Sequence, residues 1–151
     1  MMKKKLVSIT IPCYNEEEAL QVIYPAIVEA MKPLAENYEF ELLLVNDGSK
    51  DGTLKKMKEL AERDSRVKYY SFSRNFGKEA AIYAGLSNAK GDYVVMMDAD
   101  MQDPPALLPE MIAKLETGEW DCVATRRVTR TGEGAIRSFG ARMFYKIIRK
   151  M

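Results

Sequence analysis

Three carboxylates lie within six residues directly after an apolar run, in the sequence MDADMQD at 97–103. Asp98 and Asp100 alternate on what we expect to be an extended backbone, so both side chains would face one side and Ala99 the other. Two carboxylates at a strand end attract a divalent cation, and the amide of Gln102 adds a further oxygen donor. Such oxygen sets suit Mg²⁺ or Mn²⁺, which usually retain waters and bridge to substrate phosphates.

Another acid follows an earlier apolar run, where LLLV is succeeded by Asn46 and Asp47. An acid at such a strand end commonly accepts hydrogen bonds from a ribose or a base. We expect Asp47 to lie in a solvated cleft and to have little packing role. A turn or a helix cap is the alternative, and it suits Asp51, which precedes Gly52, better than Asp47.

The sequence PCYNEEE at 12–18 combines a flat apolar surface with acids. Pro12 and Tyr14 could form the flat side of a base pocket, with Glu16 as a polar partner. Glu17 and Glu18 are better explained by their favourable interaction with the positive end of a helix dipole.

In SRNFGKE at 73–79, Gly77 and Lys78 stand where a helix is predicted to begin. Backbone N–H groups and a cation at a helix N-terminus can approach anionic oxygens, although Lys78 could equally be a solvated surface residue. The spacing does not match the phosphate-binding loop GxxxxGK[ST].

These clusters need strands and helices to bring them together, and hydrophobic periodicity predicts both. Strands are expected at 6–11, 40–45, 67–72, 93–97 and 121–125, and helices after residue 15, at 53–61, at 77–89, from Pro104 onward and at 136–148. Strands that alternate with helices predict right-handed βαβ units, hence an α/β fold with a mainly parallel sheet and helices on both faces. Ligands bind such sheets at the carboxyl ends of the strands, and every cluster described above lies there.

Composition excludes several classes of protein. The 151 residues are 47% hydrophobic and 30% charged, which is typical of a single globular domain. No apolar run approaches the roughly 20 residues of a membrane-spanning helix. The chain contains no histidine, so Ser-His-Asp hydrolysis and HExxH zinc chemistry are excluded. Its two cysteines are too few for a disulfide framework, which favours reduced thiols in the cytoplasm.

The net charge of +1 conceals an acidic body and a basic tail. Residues 126–151 carry eight Lys or Arg and one acid, whereas residues 1–125 carry 15 basic and 21 acidic residues. In the predicted last helix, apolar residues recur at helical spacing and cations occupy the remaining faces. Two interpretations stay open: a terminal helix packed on the sheet, or an interfacial helix bound to anionic lipid. The same stripe could also pair with a second copy and form a homo-oligomer.

The motifs IPCYNEEE, LVNDGSKDGT, SRNFGKEAA, GDYVVMMDADMQDPP and ATRR, in this order, resemble the family 2 glycosyltransferases of GT-A fold. The resemblance is closest to the polyprenyl-phosphate glycosyltransferases, such as bactoprenol glucosyltransferases and dolichyl-phosphate mannose synthases. It extends from about residue 6 to the end of the chain. As a set the motifs are specific, whereas each alone is not.

The resemblance implies a role for each matching residue. Pro12, Tyr14, Glu16, Val45 and Asp47 would hold the nucleoside, and Asp98 and Ala99 would lie beside the ribose and diphosphate. Asp100 and Gln102 would ligate the metal. Arg126 and Arg137 would face the donor diphosphate or the acceptor phosphate.

The same resemblance implies the reaction and its partners. The donor would be a nucleotide-diphosphate sugar, a UDP-sugar rather than a GDP-sugar, and the acceptor a polyprenyl phosphate at the inner face of the cell membrane. Nucleic acid is not an expected partner. Residues 1–151 would form one Rossmann-like nucleotide-sugar-binding domain of a cell-wall or surface-polysaccharide enzyme. The acceptor-side half and the membrane helices of the family have no counterpart in this sequence.

Two other classes of protein compete with a glycosyltransferase. A nucleotide-sugar-binding fragment without turnover would bind donor but form no product. A receiver-type signalling domain also clusters aspartates on an α/β sheet, but it would place an acidic pair directly after the first strand, where this chain has PCYNEEE.

Overall fold

The structure is a computed structural model and describes residues 3–125. Its strands are β1 (Lys5–Cys13), β2 (Tyr38–Asn46), β3 (Val67–Ser71) and β4 (Tyr93–Met96). Its helices are α1 (Glu17–Met31), α2 (Thr53–Arg63), α3 (Lys78–Asn88) and α4 (Leu108–Glu116), with short 3₁₀ turns at Lys32–Leu34 and Pro105–Leu107.

The four strands form one parallel sheet in the order β3-β2-β1-β4. Along β1, alternate side chains face opposite sides of the sheet. Val7, Ile9 and Ile11 are fully buried in the main core, which includes apolar residues of α1, α2 and α4. Thr10 faces the other side, where it lies against Gly85 of α3. The prediction of a parallel sheet with helices on both faces is confirmed.

Strand β1 continues through Pro12 to Cys13, two residues beyond the predicted end. Proline lacks a backbone N–H and is usually confined to positions where a sheet does not need that donor. The N–H of Met97 donates to the carbonyl of Thr10, and β4 pairs with β1 only from Val7 to Thr10. Pro12 therefore lies beyond the last residue of β1 that pairs with β4. Within the described sheet no partner strand needs a backbone N–H on that side, so β1 tolerates proline there.

A buried ionic network holds the loop that leads into β4. Glu41 of β2 is 5% exposed and accepts hydrogen bonds from the Ser8 hydroxyl at 2.6 Å and from Lys68 Nζ at 2.6 Å. The backbone N–H of Lys90 also donates to Glu41, at 3.0 Å. Burial alone would raise the pKa of Glu41, but these hydrogen bonds hold it below its usual value. The network fixes the start of β4, which carries the aspartate cluster at its other end.

The predicted strand at 121–125 is wrong. Within the described chain this segment pairs with no strand, and Asp121, Cys122 and Thr125 are exposed. A short extended segment needs backbone hydrogen bonds from a neighbouring strand, and β4 is paired only with β1. The predicted helix at 136–148 lies outside the described residues. Among residues 3–125, no helix combines the length and apolar character needed to cross a membrane.

Candidate functional site

The carboxyl ends of the four strands meet at one cleft of about 270 Å³. Each strand contributes the segment that follows it, and α3 begins at the edge of the cleft. The predicted convergence of the sequence clusters is therefore found in the structure. The lining consists of Pro12, Cys13, Tyr14, Glu16, Asp47, Asn75, Gly77, Lys78, Ala81, Asp98, Ala99 and Asp100.

Two of the candidate residues do not line this cleft. Val45 is fully buried in β2, and its side chain lies beneath Gly85 of α3. Gln102 is exposed and is connected to the site by its backbone, whose N–H donates to Asp100 Oδ1 at 3.0 Å. Arg126 and Arg137 lie outside the described residues.

The aspartate segment is a turn rather than an extended strand. β4 ends at Met96, and Met101 adopts a positive φ of 60°, so the chain reverses direction directly after Asp100. Asp98 and Asp100 both line the cleft, as expected, but Ala99 lines it as well. The prediction that Ala99 faces away was wrong because strict side-chain alternation requires an extended backbone.

Asp47 is an internal anchor of the cleft wall. The side chain is 3% exposed, and its two oxygens accept hydrogen bonds from the N–H groups of Phe76 at 2.7 Å and Gly77 at 3.0 Å. Gly77 has a φ of +100°, which glycine adopts without strain. Asp47 therefore holds the loop between β3 and α3, and the expectation of a solvated carboxylate with little packing role was wrong.

Lys78 and Asp98 form an ion pair across the cleft. Lys78 Nζ lies 2.7 Å from Asp98 Oδ1 and 2.8 Å from Oδ2. Lys78 is the first residue of α3, and the conformation of Gly77 directs the start of that helix towards the aspartate turn. Lys78 is thus not simply a solvated residue at the helix start.

The donor set fits a hard divalent cation that shares its coordination with a ligand. Asp98 and Asp100 supply carboxylate oxygens at the cleft surface. In residues 3–125 no three or more His, Cys, Asp or Glu side chains converge on one point as a complete protein cage would require. Mg²⁺ is commonly bound by one or two carboxylates together with waters and substrate phosphates, so two aspartates are sufficient.

Negative charge accumulates at this end of the sheet. Partial burial raises the pKa of Glu16 above its usual value, and the nearby carboxylates of Asp100, Asp51 and Asp98 raise it further, while Lys78 opposes them. Burial also raises the pKa of the Cys13 thiol, with a smaller contribution from Glu16. Cys13 is therefore a neutral wall residue, whereas Glu16 is an acid that would interact favourably with a cation.

Sequence reasoning missed some of the lining. Asn75 stands in the loop that Asp47 anchors, two residues before Gly77, which the sequence had already placed at the predicted helix start. Cys13 lies between Pro12 and Tyr14, and Ala81 lies one turn of α3 beyond Lys78. Small or apolar residues carry no chemical signature, so only their distance in sequence from Lys78 and Tyr14 could have indicated them.

A family model and a named relative both match this chain and indicate the same family. Residues 8–150 match the family described as Glycosyl transferase family 2. The bactoprenol glucosyl transferase of Shigella phage SfV is 42% identical over 147 residues, which are 96% of this chain and 46% of that protein. The chain thus spans about half the length of this relative.

Solved structures share the fold. The mannosyltransferase PcManGT of Pyrobaculum calidifontis, in complex with GDP-Man and Mn²⁺, is 27% identical with a TM-score of 0.56, over 66% of this chain and 28% of that one. S. aureus TarS residues 1–349 in complex with UDP superpose with a TM-score of 0.68 at 24% identity, over 88% of this chain and 38% of that one. At that identity the TarS comparison bears on the fold alone.

Proposed function

The chain belongs to glycosyl transferase family 2, and we propose that its cleft binds a nucleotide-diphosphate sugar whose sugar is transferred to a polyprenyl phosphate. The observation that carries this proposal is the meeting of Asp98, Asp100 and Lys78 in one cleft at the carboxyl ends of parallel strands. Carboxylates and a lysine side by side suit a diphosphate with its counter-cation. The name of the phage relative supports bactoprenol phosphate as the class of acceptor.

The nucleoside would occupy the part of the cleft next to β1. Pro12 and Tyr14 offer flat surfaces to a base, Tyr14 being 43% exposed, and Glu16 offers a polar partner. Asp47 would act mainly by fixing the loop that ends in Gly77. We favour a UDP-sugar, and UDP-glucose in particular, because the relative is named a glucosyl transferase.

Asp98 and Asp100 would hold Mg²⁺ or Mn²⁺ at the diphosphate. A divalent cation bound there supplies Lewis-acid stabilisation of the charge that grows on the departing diphosphate. Mn²⁺ accompanies the nucleotide sugar in the Pyrobaculum structure, which supports this part of the proposal. The side-chain amide of Gln102 would add a further oxygen ligand; Gln102 is exposed beside this site, and its backbone N–H donates to Asp100 Oδ1.

The transfer itself requires little acid–base chemistry from the protein. An oxygen of the acceptor phosphate would form a bond to the anomeric carbon while the bond from that carbon to the diphosphate oxygen breaks, with inversion of configuration. The acceptor phosphate is already anionic at neutral pH and needs no strong general base. A chain without histidine is compatible with this reaction.

The acceptor side of the proposal involves the basic tail. Arg126 and Arg137 would interact with the donor diphosphate or the acceptor phosphate, and the cationic helix predicted at 136–148 would lie on the inner membrane surface, where a lipid-linked acceptor resides. Sedimentation with anionic but not neutral vesicles, weakened by salt, would support this role. Equal binding to both vesicle types would contradict it.

The proposal is tested by ligand-induced stabilisation, because a ligand that binds the native state raises the melting temperature. UDP should stabilise the protein much more with Mn²⁺ than with EDTA, and more than GDP does. Asp100→Asn should abolish the metal-dependent part. The matched control is Asp121→Asn, at an exposed aspartate that does not line the cleft.

An unchanged Mn²⁺-dependent response in Asp100→Asn would overturn the assignment of the metal site. Incubation with UDP-glucose and a polyprenyl phosphate then separates transfer from binding alone. Nucleotide binding without a glycolipid product would favour the alternative of a binding fragment without turnover.

A further inference from the structure

The ion pair between Lys78 and Asp98 joins two groups that a metal–diphosphate complex would also use. Lys78 Nζ contacts both oxygens of Asp98, at 2.7 and 2.8 Å. The side chains are 56% and 42% exposed, respectively. Exposed ion pairs contribute little to stability, so this pair can be exchanged for another at small cost.

Lys78 is isolated among acids. Of the described residues that line the cleft, it is the one cation, facing the carboxylates of Glu16, Asp98 and Asp100. Burial is the main cause of the raised pKa of Glu16; the carboxylates of Asp100, Asp51 and Asp98 raise it further, and Lys78 opposes them. Lys78 is therefore the counter-ion of these carboxylates among the described lining residues.

We propose that Lys78 is an exchangeable counter-ion, which neutralises Asp98 until a divalent cation binds that carboxylate and then moves to the diphosphate oxygens. This inference rests on the proposed function, because it assumes that a metal and a nucleotide diphosphate meet at this site. The backbone of Lys78 is fixed in the first turn of α3, so only its long, flexible side chain has to change rotamer.

Exchange has a consequence for the order of binding. A metal ion that arrives alone must displace Lys78 from Asp98 and leave the lysine without an anionic partner. A diphosphate that arrives with the metal gives Lys78 a new partner. Metal and nucleotide should therefore each tighten the binding of the other, and this coupling is reciprocal by thermodynamic necessity.

The test removes the cation while keeping the bulk, with Lys78→Met. Electron paramagnetic resonance of free Mn²⁺ measures metal affinity without nucleotide, and calorimetry measures UDP affinity with saturating Mn²⁺. We expect the Kd for Mn²⁺ alone to fall about threefold to fivefold, as Asp98 is released from its partner. The Kd for UDP should rise about tenfold or more, as the diphosphate loses a charged hydrogen bond.

Two further variants make the result specific. Lys78→Arg keeps the charge, so its Kd for Mn²⁺ alone and its Kd for UDP should both lie closer to the wild-type values than those of Lys78→Met. Lys50→Met removes a cation beside the cleft, where the Lys50 N–H donates to Asn15 Oδ1 at 2.9 Å. Lys50 forms no ion pair with any residue in 3–125, so a change in the local potential alone would show in this variant.

Opposite shifts for Mn²⁺ and UDP in Lys78→Met, absent in Lys50→Met, support the exchange. An unchanged or weaker affinity for Mn²⁺ alone in Lys78→Met overturns it, even if UDP binding also weakens. An equal effect of Lys50→Met on Mn²⁺ affinity overturns it too. If the wild-type protein binds no UDP in the presence of Mn²⁺, the proposed function itself fails. That result is distinguishable from the two outcomes that overturn only the exchange of Lys78.

Discussion

Gly85 of α3 lies directly over Thr10 of β1, so closely that a Cβ atom at position 85 would overlap with the Thr10 hydroxyl oxygen. In the described chain that hydroxyl is buried and has no hydrogen-bond partner. The helix therefore contacts the sheet through bare backbone at this point. Because α3 begins with Lys78 and Ala81 lines the cleft, this contact sets the position of one cleft wall.

We predict that Gly85→Ala destabilises the protein. In an open helical position this substitution would raise the free energy of unfolding by about 1 kcal/mol, since alanine is the better helix former. Here the added methyl group overlaps with Thr10, and overpacking of this kind should lower the free energy of unfolding by about 1–3 kcal/mol. Urea denaturation, monitored by circular dichroism, shows whether the free energy of unfolding rises or falls.

The partner variant Thr10→Ala removes the oxygen that would clash. Combined with Gly85→Ala, it should recover part of the lost stability, although Thr10 Cβ would still lie 3.0 Å from the new methyl group. The double-mutant cycle should therefore show favourable coupling. Strictly additive effects would mean that the helix moves away from the sheet instead of meeting Thr10.

Asp47→Ala should reduce both stability and nucleotide affinity. It leaves the N–H groups of Phe76 and Gly77 without their acceptor, and a hydrogen bond to a charged group contributes about 1.5–3 kcal/mol. The loop that carries Asn75 and leads to Lys78 would then lose its anchor. Urea denaturation and UDP calorimetry at matched folded concentration measure the two effects. Wild-type stability with weaker binding would instead show that Asp47 acts only on the nucleoside.

The stability of the protein should fall in acid partly through Asp64. The hydrogen bond from Arg66 lowers the pKa of Asp64 to about 2, and Tyr24 contributes a further hydrogen bond at 2.9 Å. A carboxylate with a lowered pKa in the folded state stabilises the fold above its unfolded pKa of about 4, and this contribution disappears as the pH falls from about 4 to 2. Its size at neutral pH is roughly 2 kcal/mol, from a shift of nearly two units.

Asp64→Asn should flatten the decrease in unfolding free energy between pH 5 and pH 2. Urea denaturation at half-unit pH intervals gives the slope for each protein. Asp121→Asn, at an exposed aspartate, is the control and should retain the wild-type slope. Identical slopes for wild type and Asp64→Asn would show that Asp64 is not the responsible group.

The sheet was predictable because its strands are short, apolar and separated by helical periodicity. All four strands were placed within two residues of their observed ends. The segment at 121–125 was predicted wrongly because its local composition, with Val123 and Thr125, favours extended backbone but does not show whether a neighbouring strand pairs with it. Pairing depends on residues far away in sequence, which a local pattern cannot indicate.

The lining of the cleft was predictable where residue chemistry is distinctive, as at Asp98, Asp100 and Tyr14. The partners of those residues were not. Nothing in the order of residues indicates that Asp47 is satisfied by the loop N–H groups or that Lys78 reaches Asp98. The positive φ of Met101, which turns the aspartate segment, is also unexpected for a non-glycine residue.

The placement of the central strand also determines how the protein must fold. β1 pairs with both β2 and β4, and the second pairing joins Val7 to Tyr93, which is 86 positions later in the chain. Contacts between such distant segments form slowly, because a long loop must close before they are made. The cleft takes a part from the end of every strand, so no single βαβ unit can contain it. We therefore expect the proposed nucleotide binding to appear only after β4 has paired with β1, and a fluorescent nucleotide added during refolding would test this order.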